Sequence, residues 1–316
     1  MQEAVKPVTS SVKKSGLTIV VPVYNEAATL PEFLGELIPA CVAHGWQVIF
    51  VNDGSTDTSA KILAEVKGGT FARVLHHKVN RGYGGALKTG ILNVTTSHLI
   101  TIDSDGQHSL TDIEKIYSFA LEKDADLVVG NRGRGKNASL VRELGKGLIR
   151  NFTRLLMPLP IHDLNSGFKL YRTELAQKYM QICPDSMAFS DVITLAFISQ
   201  RALVLEVPIS VRVRRAGKST IGLHTAFETV LEIVNITLLF NPLKIFLPAS
   251  LICFLMGFGW GVPLAAAGRG VSVGAMLAIV LGALFFAIGL LASQLSAIRM
   301  EKLENNPPQK NHDRED

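Results

Sequence analysis

The chain has 316 residues, a formal net charge of +5 and a 47% share of hydrophobic residues. That length suggests about two domains. The apolar share, with a positive mean hydropathy, exceeds what a soluble domain needs, so part of the sequence is expected in lipid.

Residues 1–16, "MQEAVKPVTSSVKKSG", hold no apolar signal-peptide core and are expected to form a disordered arm. From residue 17 to about residue 218, short β-rich runs alternate with amphipathic segments. "LTIVVPVYN", "WQVIFVND", "ARVLHH", "HLITIDSD" and "ADLVVGNR" read as strands, and residues 28–44, 56–67, 84–94 and 110–122 read as helices. Such alternation predicts an α/β domain with a mostly parallel, Rossmann-like sheet covered by helices on both faces. Ligands bind these sheets beyond the carboxyl ends of the strands. Three strands end there in polar residues: Tyr24-Asn25-Glu26, Asn52-Asp53-Gly54 and Asp103-Ser104-Asp105. A strand needs no carboxylate at its tip to fold, so three such tips on one edge point to one site.

In "IDSDGQH", Asp103, Asp105 and Gln107 alternate, and in extended chain alternate residues project to one side. Three oxygen-bearing side chains suit a hard cation, Mg²⁺ or Mn²⁺. The competing reading, a helix start capped by Ser109 or Thr111, leaves unexplained two upstream carboxylates that repel each other without a cation. "VNDGSTD" reads as an Asx turn before a helix, and Asp53 in it has the chemistry to accept hydrogen bonds from a nucleotide base or a ribose. "NRGYGGALKTG" has Leu87 where a third dinucleotide-binding glycine belongs and follows the third strand, not the first, so no nicotinamide cofactor is expected. Its glycines read as tight packing at a helix start. Cys41, Cys183 and Cys253 are scattered without CxxC spacing and read as structural residues rather than metal ligands or a disulfide. Arg142, Lys146, Arg150 and Arg154 recur every four residues, giving a basic helical stripe. It is either a solvated face or a surface for anionic lipid headgroups.

Residues 219–242 place Leu223, Phe227, Val230, Leu231, Val234 and Leu238 on one helical face and Thr225, Glu228, Glu232 and Asn235 on another. This is an amphipathic juxtamembrane helix lying in the interface, or else an ordinary surface helix. No charge occurs from Ile245 to Gly268 or from Gly270 to Ile298. Each run reaches the ~20 residues needed to cross ~30 Å of hydrocarbon. Residues 243–299 are therefore expected to form a transmembrane hairpin, with spans near 245–267 and 273–297 and Arg269 in the turn. Two buried helices of a soluble core are the competing reading, but such helices rarely go so long without charge. Lys244, Arg299 and Lys302 put the large N-terminal part and the tail, residues 300–316, in the cytoplasm, making a multi-pass protein of the cell membrane with both termini cytoplasmic. Gly257 and Gly261 suit close helix packing and self-association.

"VVPVYNEAATL", "VNDGSTD", "NRGYGGALKTG", "IDSDGQH", "VVGNR" and "LNSGFKLYR" occur in that order. Together they resemble the inverting family-2 glycosyltransferases of GT-A fold, and among these the polyprenyl-phosphate glycosyltransferases similar to dolichyl-phosphate mannose synthase. The resemblance covers about residues 17–220, and the two spans match the membrane-anchored branch. It implies that Pro22, Tyr24 and Glu26 line a nucleotide pocket, with Val51 and Asp53 reading base and ribose. Asp103, Ser104 and Asp105 would form the family's DxD-type element, and Asp105 with Gln107 would hold the metal against the diphosphate. Arg132 would reach a donor or acceptor phosphate, and Arg215 and Lys218, in "RRAGKS", would close over the phosphates. Ser166 is assigned to the acceptor side with Arg142, Lys146 and Arg150, a stripe that would also guide the acceptor phosphate inward. The bland reading of "RRAGKS" is a solvated basic loop.

The implied reaction moves a hexosyl group, with inversion, from a UDP- or GDP-sugar to undecaprenyl or dolichyl phosphate. The metal, Arg215 and Lys218 would offset charge on the leaving diphosphate. A lipid phosphate is already an anion and needs no strong general base. Asp163 is the one obvious base candidate, and it reads equally as a turn former. The expected partners are thus donor, lipid acceptor and membrane lipids, with no nucleic acid. Rival readings are a lipid or glycan hydroxyl as acceptor, a non-catalytic nucleotide-sugar sensor or scaffold, and a processive polysaccharide synthase. The last needs a Gln-x-x-Arg-Trp signature, and neither Trp46 nor Trp260 stands in one.

Overall fold

The computed structural model describes residues 16–66, 71–133, 160–164, 166–210, 234 and 237–305. The N-terminal arm, the stripe Arg142, Lys146, Arg150 and Arg154, the pair Arg215 and Lys218, most of the juxtamembrane helix and the polar tail lie outside the described residues.

The first half is the expected alternation: β1 (Leu17–Val23), α1 (Leu30–His44), β2 (Gln47–Asn52), α2 (Ser59–Ala64), β3 (Ala72–His76), α3 (Tyr83–Leu92), β4 (His98–Thr101), α4 (Leu110–Lys123) and β5 (Leu127–Asn131). Element ends differ from expectation by a few residues, as is usual. Beyond residue 168 come β6 (Lys169–Arg172), α5 (Thr173–Tyr179), α6 (Phe189–Ser199) and β7 (Val204–Pro208). The strands form one sheet in the order β3-β2-β1-β4-β6-β5-β7. β6 runs antiparallel to both its neighbours, while the other pairings are parallel. The mostly parallel sheet is borne out; the reversed strand inside it is not readable from "FKLYR", which carries no directional signal.

Side chains alternate across this sheet with the two-residue period of a strand. Leu17, Ile19, Val21, Val48, Phe50, Ile100, Val128 and Leu170 point into a core shared with Leu30, Phe33, Leu37 and Cys41 of α1 and Ile113 and Ile116 of α4. Val20, Ile49, Val51, Leu99, Leu127, Val129 and Tyr171 point into the other, under Ala86, Leu87 and Ile91 of α3 and most of α6. The four buried positions of α1 recur at helical spacing, and each is worth about 1.5–3 kcal/mol of burial. Gly45 ends α1 with φ 67°, the left-handed value that glycine adopts without strain, and the chain turns into β2.

The C-terminal part is a hairpin of α7 (Leu243–Ala266) and α8 (Val273–Asn305). Only 11% and 17% of their most apolar windows are buried, and large side chains such as Leu251, Phe258, Trp260, Leu277 and Leu291 stand exposed. A soluble core helix would hide these residues, so the two helices fit lipid rather than water. Gly257 and Gly261 face α8 of the same chain: a Cβ on Gly257 would come within 3.0 Å of Ala275 O, and one on Gly261 would lie 3.0 Å from Ala275 Cβ. The close helix packing expected of these glycines is found within the hairpin. Ser250 Oγ donates to Gly282 O across it at 2.8 Å. Thirty-three residues make α8 about 50 Å long, more than the ~30 Å of a hydrocarbon core. Its far end touches α5, and Ser296 Oγ donates to Leu239 O at 2.6 Å. Leu239 and Phe240 pack on the α3–α6 core.

Candidate active site

The loops after β1, β2 and β4 meet at the carboxyl edge of the sheet. Asn25, at φ 55°, accepts the Thr56 and Asp57 N–H groups on its Oδ1, and the Ala27 N–H donates to Asp57 Oδ2 at 3.0 Å. Thr29 Oγ1 donates to Glu26 Oε2 at 2.9 Å and to Ser104 O at 3.4 Å, tying the first loop to the third. Tyr24 is largely exposed on this rim, and Pro22 and Glu26 are half-buried. Val51 is not at the rim: its side chain is wholly buried beneath Gly90 of α3.

Asp53 is buried and occupied by the chain itself. Its Oδ1 accepts the Arg81 N–H at 2.9 Å and meets His77 Nδ1 at 2.5 Å, while its Oδ2 accepts the Gly82 N–H at 2.9 Å. The other His77 nitrogen meets Thr89 Oγ1 at 2.8 Å. Asp53 therefore fixes the segment that starts α3, and a base or ribose would share an acceptor already in use.

The acidic motif is a turn, not extended chain. β4 ends at Thr101, and Gly106 has φ 69°. Asp105 Oδ1 accepts the Gln107 N–H at 3.1 Å, so the motif is folded as a turn and not as alternating strand. Ser104 is buried. Asp103 accepts the Tyr83 hydroxyl at 3.1 Å, and Gly167 lies so close that a Cβ there would stand 2.8 Å from Asp103 Oδ2. Burial and the Asp103 charge push the Tyr83 hydroxyl well up, so it stays a proton donor. His108 stacks on Phe168 with Nε2 3.9 Å from Asp103 Oδ2.

Among the described residues no lysine or arginine pairs with Asp103 or Asp105, and no three His, Cys, Asp or Glu side chains form a complete metal cage. Two carboxylates and an amide in one loop fit a divalent ion that takes its remaining ligands from water and a bound diphosphate. Asp103, Asp105 and Gln107 would hold it.

On the other side, Arg132 at the end of β5 meets Asp163 in a two-pronged pair, Nε to Oδ2 at 2.8 Å and a terminal nitrogen to Oδ1 at 2.9 Å. Burial alone would raise the Asp163 carboxyl, but the hydrogen bonds and charge of Arg132 outweigh it and hold the group below the usual carboxylate range. Ser166 is fully buried, its Oγ accepting the Phe168 N–H at 3.3 Å, so it shapes this loop from within. The sequence reading missed Tyr83, Gly167, Lys169 and Glu206. Two carried a signal: Lys169 lies between Phe168 and Leu170, and Glu206 is the one charge in "VLEVPIS".

Comparison with known proteins places this geometry. The description "GtrB C-terminal hairpin" matches residues 241–298. The undecaprenyl-phosphate 4-deoxy-4-formamido-L-arabinose transferase of Edwardsiella ictaluri is 28% identical over 89% of this chain and 89% of its own. That of Klebsiella pneumoniae subsp. pneumoniae is 27% identical over 89% and 88%. Among solved structures, glucosyl-3-phosphoglycerate synthase from Mycobacterium tuberculosis in complex with Mn²⁺, uridine diphosphate and phosphoglyceric acid has a TM-score of 0.54 at 20% identity, over 70% of this chain and 78% of that one. The same enzyme with Mn²⁺ and uridine-diphosphate-glucose gives 0.53 at 18%, over 70% and 79%. These likenesses bear out the GT-A fold. The description "Glycosyl transferase family 2" covers residues 18–180, more than half of the sequence and most of the sheet that carries these loops, and so the chain belongs to glycosyl transferase family 2.

Proposed function

We propose that this chain transfers a sugar from a nucleotide diphosphate to a polyprenyl phosphate, with inversion, at the cytoplasmic face of a membrane. The observation that carries the reading is the Arg132–Asp163 pair. A sugar hydroxyl must lose its proton to attack, and Asp163, held ionised by a guanidinium, is a weak base. A phosphomonoester arrives already charged and asks for no base. The apolar hairpin and the names of the relatives support a lipid carrier.

Donor binding falls to the rim at Pro22, Tyr24 and Glu26, with Asp53 acting from beneath by holding the start of α3 and Val51 from the core. Mg²⁺ or Mn²⁺, when bound, supplies positive charge to the leaving diphosphate. Asp103, Asp105 and Gln107 would hold the ion, Asp103 oriented by the Tyr83 hydroxyl, with Ser104 behind them. Arg132 keeps Asp163 charged and presents its guanidinium to an incoming phosphate. Ser210 N–H donates to Asp112 Oδ2 at 2.9 Å, on the first turn of the helix that follows the acidic loop. Arg215 and Lys218 are assigned to the phosphates. The stripe Arg142, Lys146 and Arg150 is assigned to anionic lipid.

The test is a panel of UDP- and GDP-hexoses and UDP-4-deoxy-4-formamido-L-arabinose against phosphorylated and dephosphorylated polyprenol, with and without Mn²⁺. Product is expected only with the phosphate and the metal. Turnover on the free alcohol refutes the phosphate nucleophile, and donor binding without turnover favours a sensor.

A further inference from the structure

Two oppositely charged side chains, a half-buried carboxylate and a wholly buried ammonium, have no part in the chemistry above. Glu206, on β7, directs its carboxylate away from its own strand. Its Oε1 accepts the N–H groups of His162 at 2.9 Å and Asp163 at 2.8 Å, and its Oε2 meets His162 Nδ1 at 2.8 Å. Lys169, on β6, is wholly buried. Its ammonium donates to Leu164 O at 2.7 Å, Ser190 O at 2.6 Å, Ser190 Oγ at 2.8 Å and Thr194 Oγ1 at 2.8 Å. Ser190 Oγ in turn donates to Ser166 O at 2.9 Å. The carboxylate therefore takes backbone N–H groups before and at Asp163, and the ammonium takes the carbonyl just after it.

Burying an ammonium costs several kcal/mol unless its donors are all satisfied. An apolar residue would serve strand β6 at no such cost, and β7 needs no carboxylate to pair. What the two charges achieve together is to fix one short stretch of backbone from both sides. That stretch presents Asp163 to Arg132 and, past Ser166, brings the bare Cα of Gly167 against Asp103.

We infer that Glu206 and Lys169 are positioning residues, a hydrogen-bonding clamp from two sides that sets the Asp163 loop for the transfer step. The inference rests on the reading of Asp163 and Arg132 as acceptor-side groups. It is tested on the full-length protein in nanodiscs with Glu206→Gln and Glu206→Ala. Glutamine keeps an Oε1 that accepts both N–H groups; alanine keeps nothing. Glu206→Ala is expected to lower kcat/KM for undecaprenyl phosphate on the order of 100-fold, the scale of a small misplacement at a reacting centre. Glu206→Gln should stay within about threefold, and UDP affinity in Mn²⁺ should hold within about twofold in both. Hydrogen exchange at the His162 and Asp163 amides should quicken in Glu206→Ala alone, while peptides of α1 are unchanged. Lys169→Met, in protein that keeps UDP affinity, should repeat the loss of acceptor kcat/KM. Equal losses in the glutamine and alanine variants, no loss in alanine, or a parallel fall in UDP affinity overturns the clamp. If wild-type protein transfers nothing to polyprenyl phosphate, the functional reading fails instead. Exchange then decides the clamp alone: unaltered rates at His162 and Asp163 in Glu206→Ala refute it.

Discussion

Asp105 and Asp163 are both aspartates in loops at the sheet edge, and their neighbours give them different chemistry. Asp105 has no cation of the chain beside it among the described residues, whereas Asp163 is held by Arg132. Asp105→Asn should therefore cut Mn²⁺-dependent transfer by about 100-fold or more while the melting temperature stays within a few degrees, since a site electrostatic group is lost and no core contact is. Calorimetry of Mn²⁺ with UDP should show the weakening directly. For Asp163 the depressed value sets the sign of a pH effect. The pairing stabilises the fold above the ordinary carboxylate range and is lost as pH falls through the lowered value. The difference in melting temperature between wild type and Arg132→Gln should accordingly be present at neutral pH and close below about pH 4. A difference that persists in acid would show that the pair adds nothing through charge. Burial draws the Lys169 ammonium below the usual lysine range, with Asp191 and Asp163 opposing, and its oxygen acceptors at Leu164, Ser190 and Thr194 favour the charged form.

Among the elements, β6 does the most for the site. It enters the sheet against the direction of β4 and β5, and the bend before it brings residues 166–167 beneath the tip of β4. Thr101 Oγ1 seals that approach by donating to Gly167 O at 2.8 Å. Gly167→Ala should then displace Asp103 and the Tyr83 hydroxyl, 2.8 and 3.0 Å from the new methyl. The expected outcome is a fall in kcat on the order of 100-fold with a stability loss of about 1–3 kcal/mol. Retained kcat with weakened folding would place the glycine in packing alone. α3 acts similarly: Asp53 pins its start, and Tyr83 in its first turn reaches Asp103, which couples the second and third strand tips.

At the scale of the molecule, the sheet domain and an apolar hairpin are joined through Leu239, Phe240 and the end of α8. A 33-residue helix is longer than the hydrocarbon core of a bilayer and touches α5, so the hairpin is packed against the sheet domain at that end. Gly257→Leu drives a side chain into Ala275 and Ile279 and should separate α7 from α8. Lower thermal stability in detergent is expected, by roughly 1–3 kcal/mol, with UDP affinity unchanged. A matching loss of UDP affinity would mean the hairpin also supports the nucleotide loops.

The sequence by itself determined the alternating elements through residue 131, the charge-free spans and the polar strand tips. Each rests on local spacing: period two in a strand, period near four in a helix, and length against bilayer thickness. It also supplied the ordered motifs whose family the comparison bears out over residues 18–180. Tertiary structure decided the rest. Asp53 turned out to face the chain, Val51 the core and Gly257 its own hairpin, because burial depends on what packs opposite and no spacing records that. The pairing of Arg132 with Asp163 and the grip of Glu206 on its loop join residues 31 to 44 positions apart, Lys169 meets Ser190 and Thr194 21 and 25 positions on, and the direction of β6 sets a strand's sense. Such contacts exist only once the sheet has closed, since the energy that selects them comes from burying charge against a specific partner.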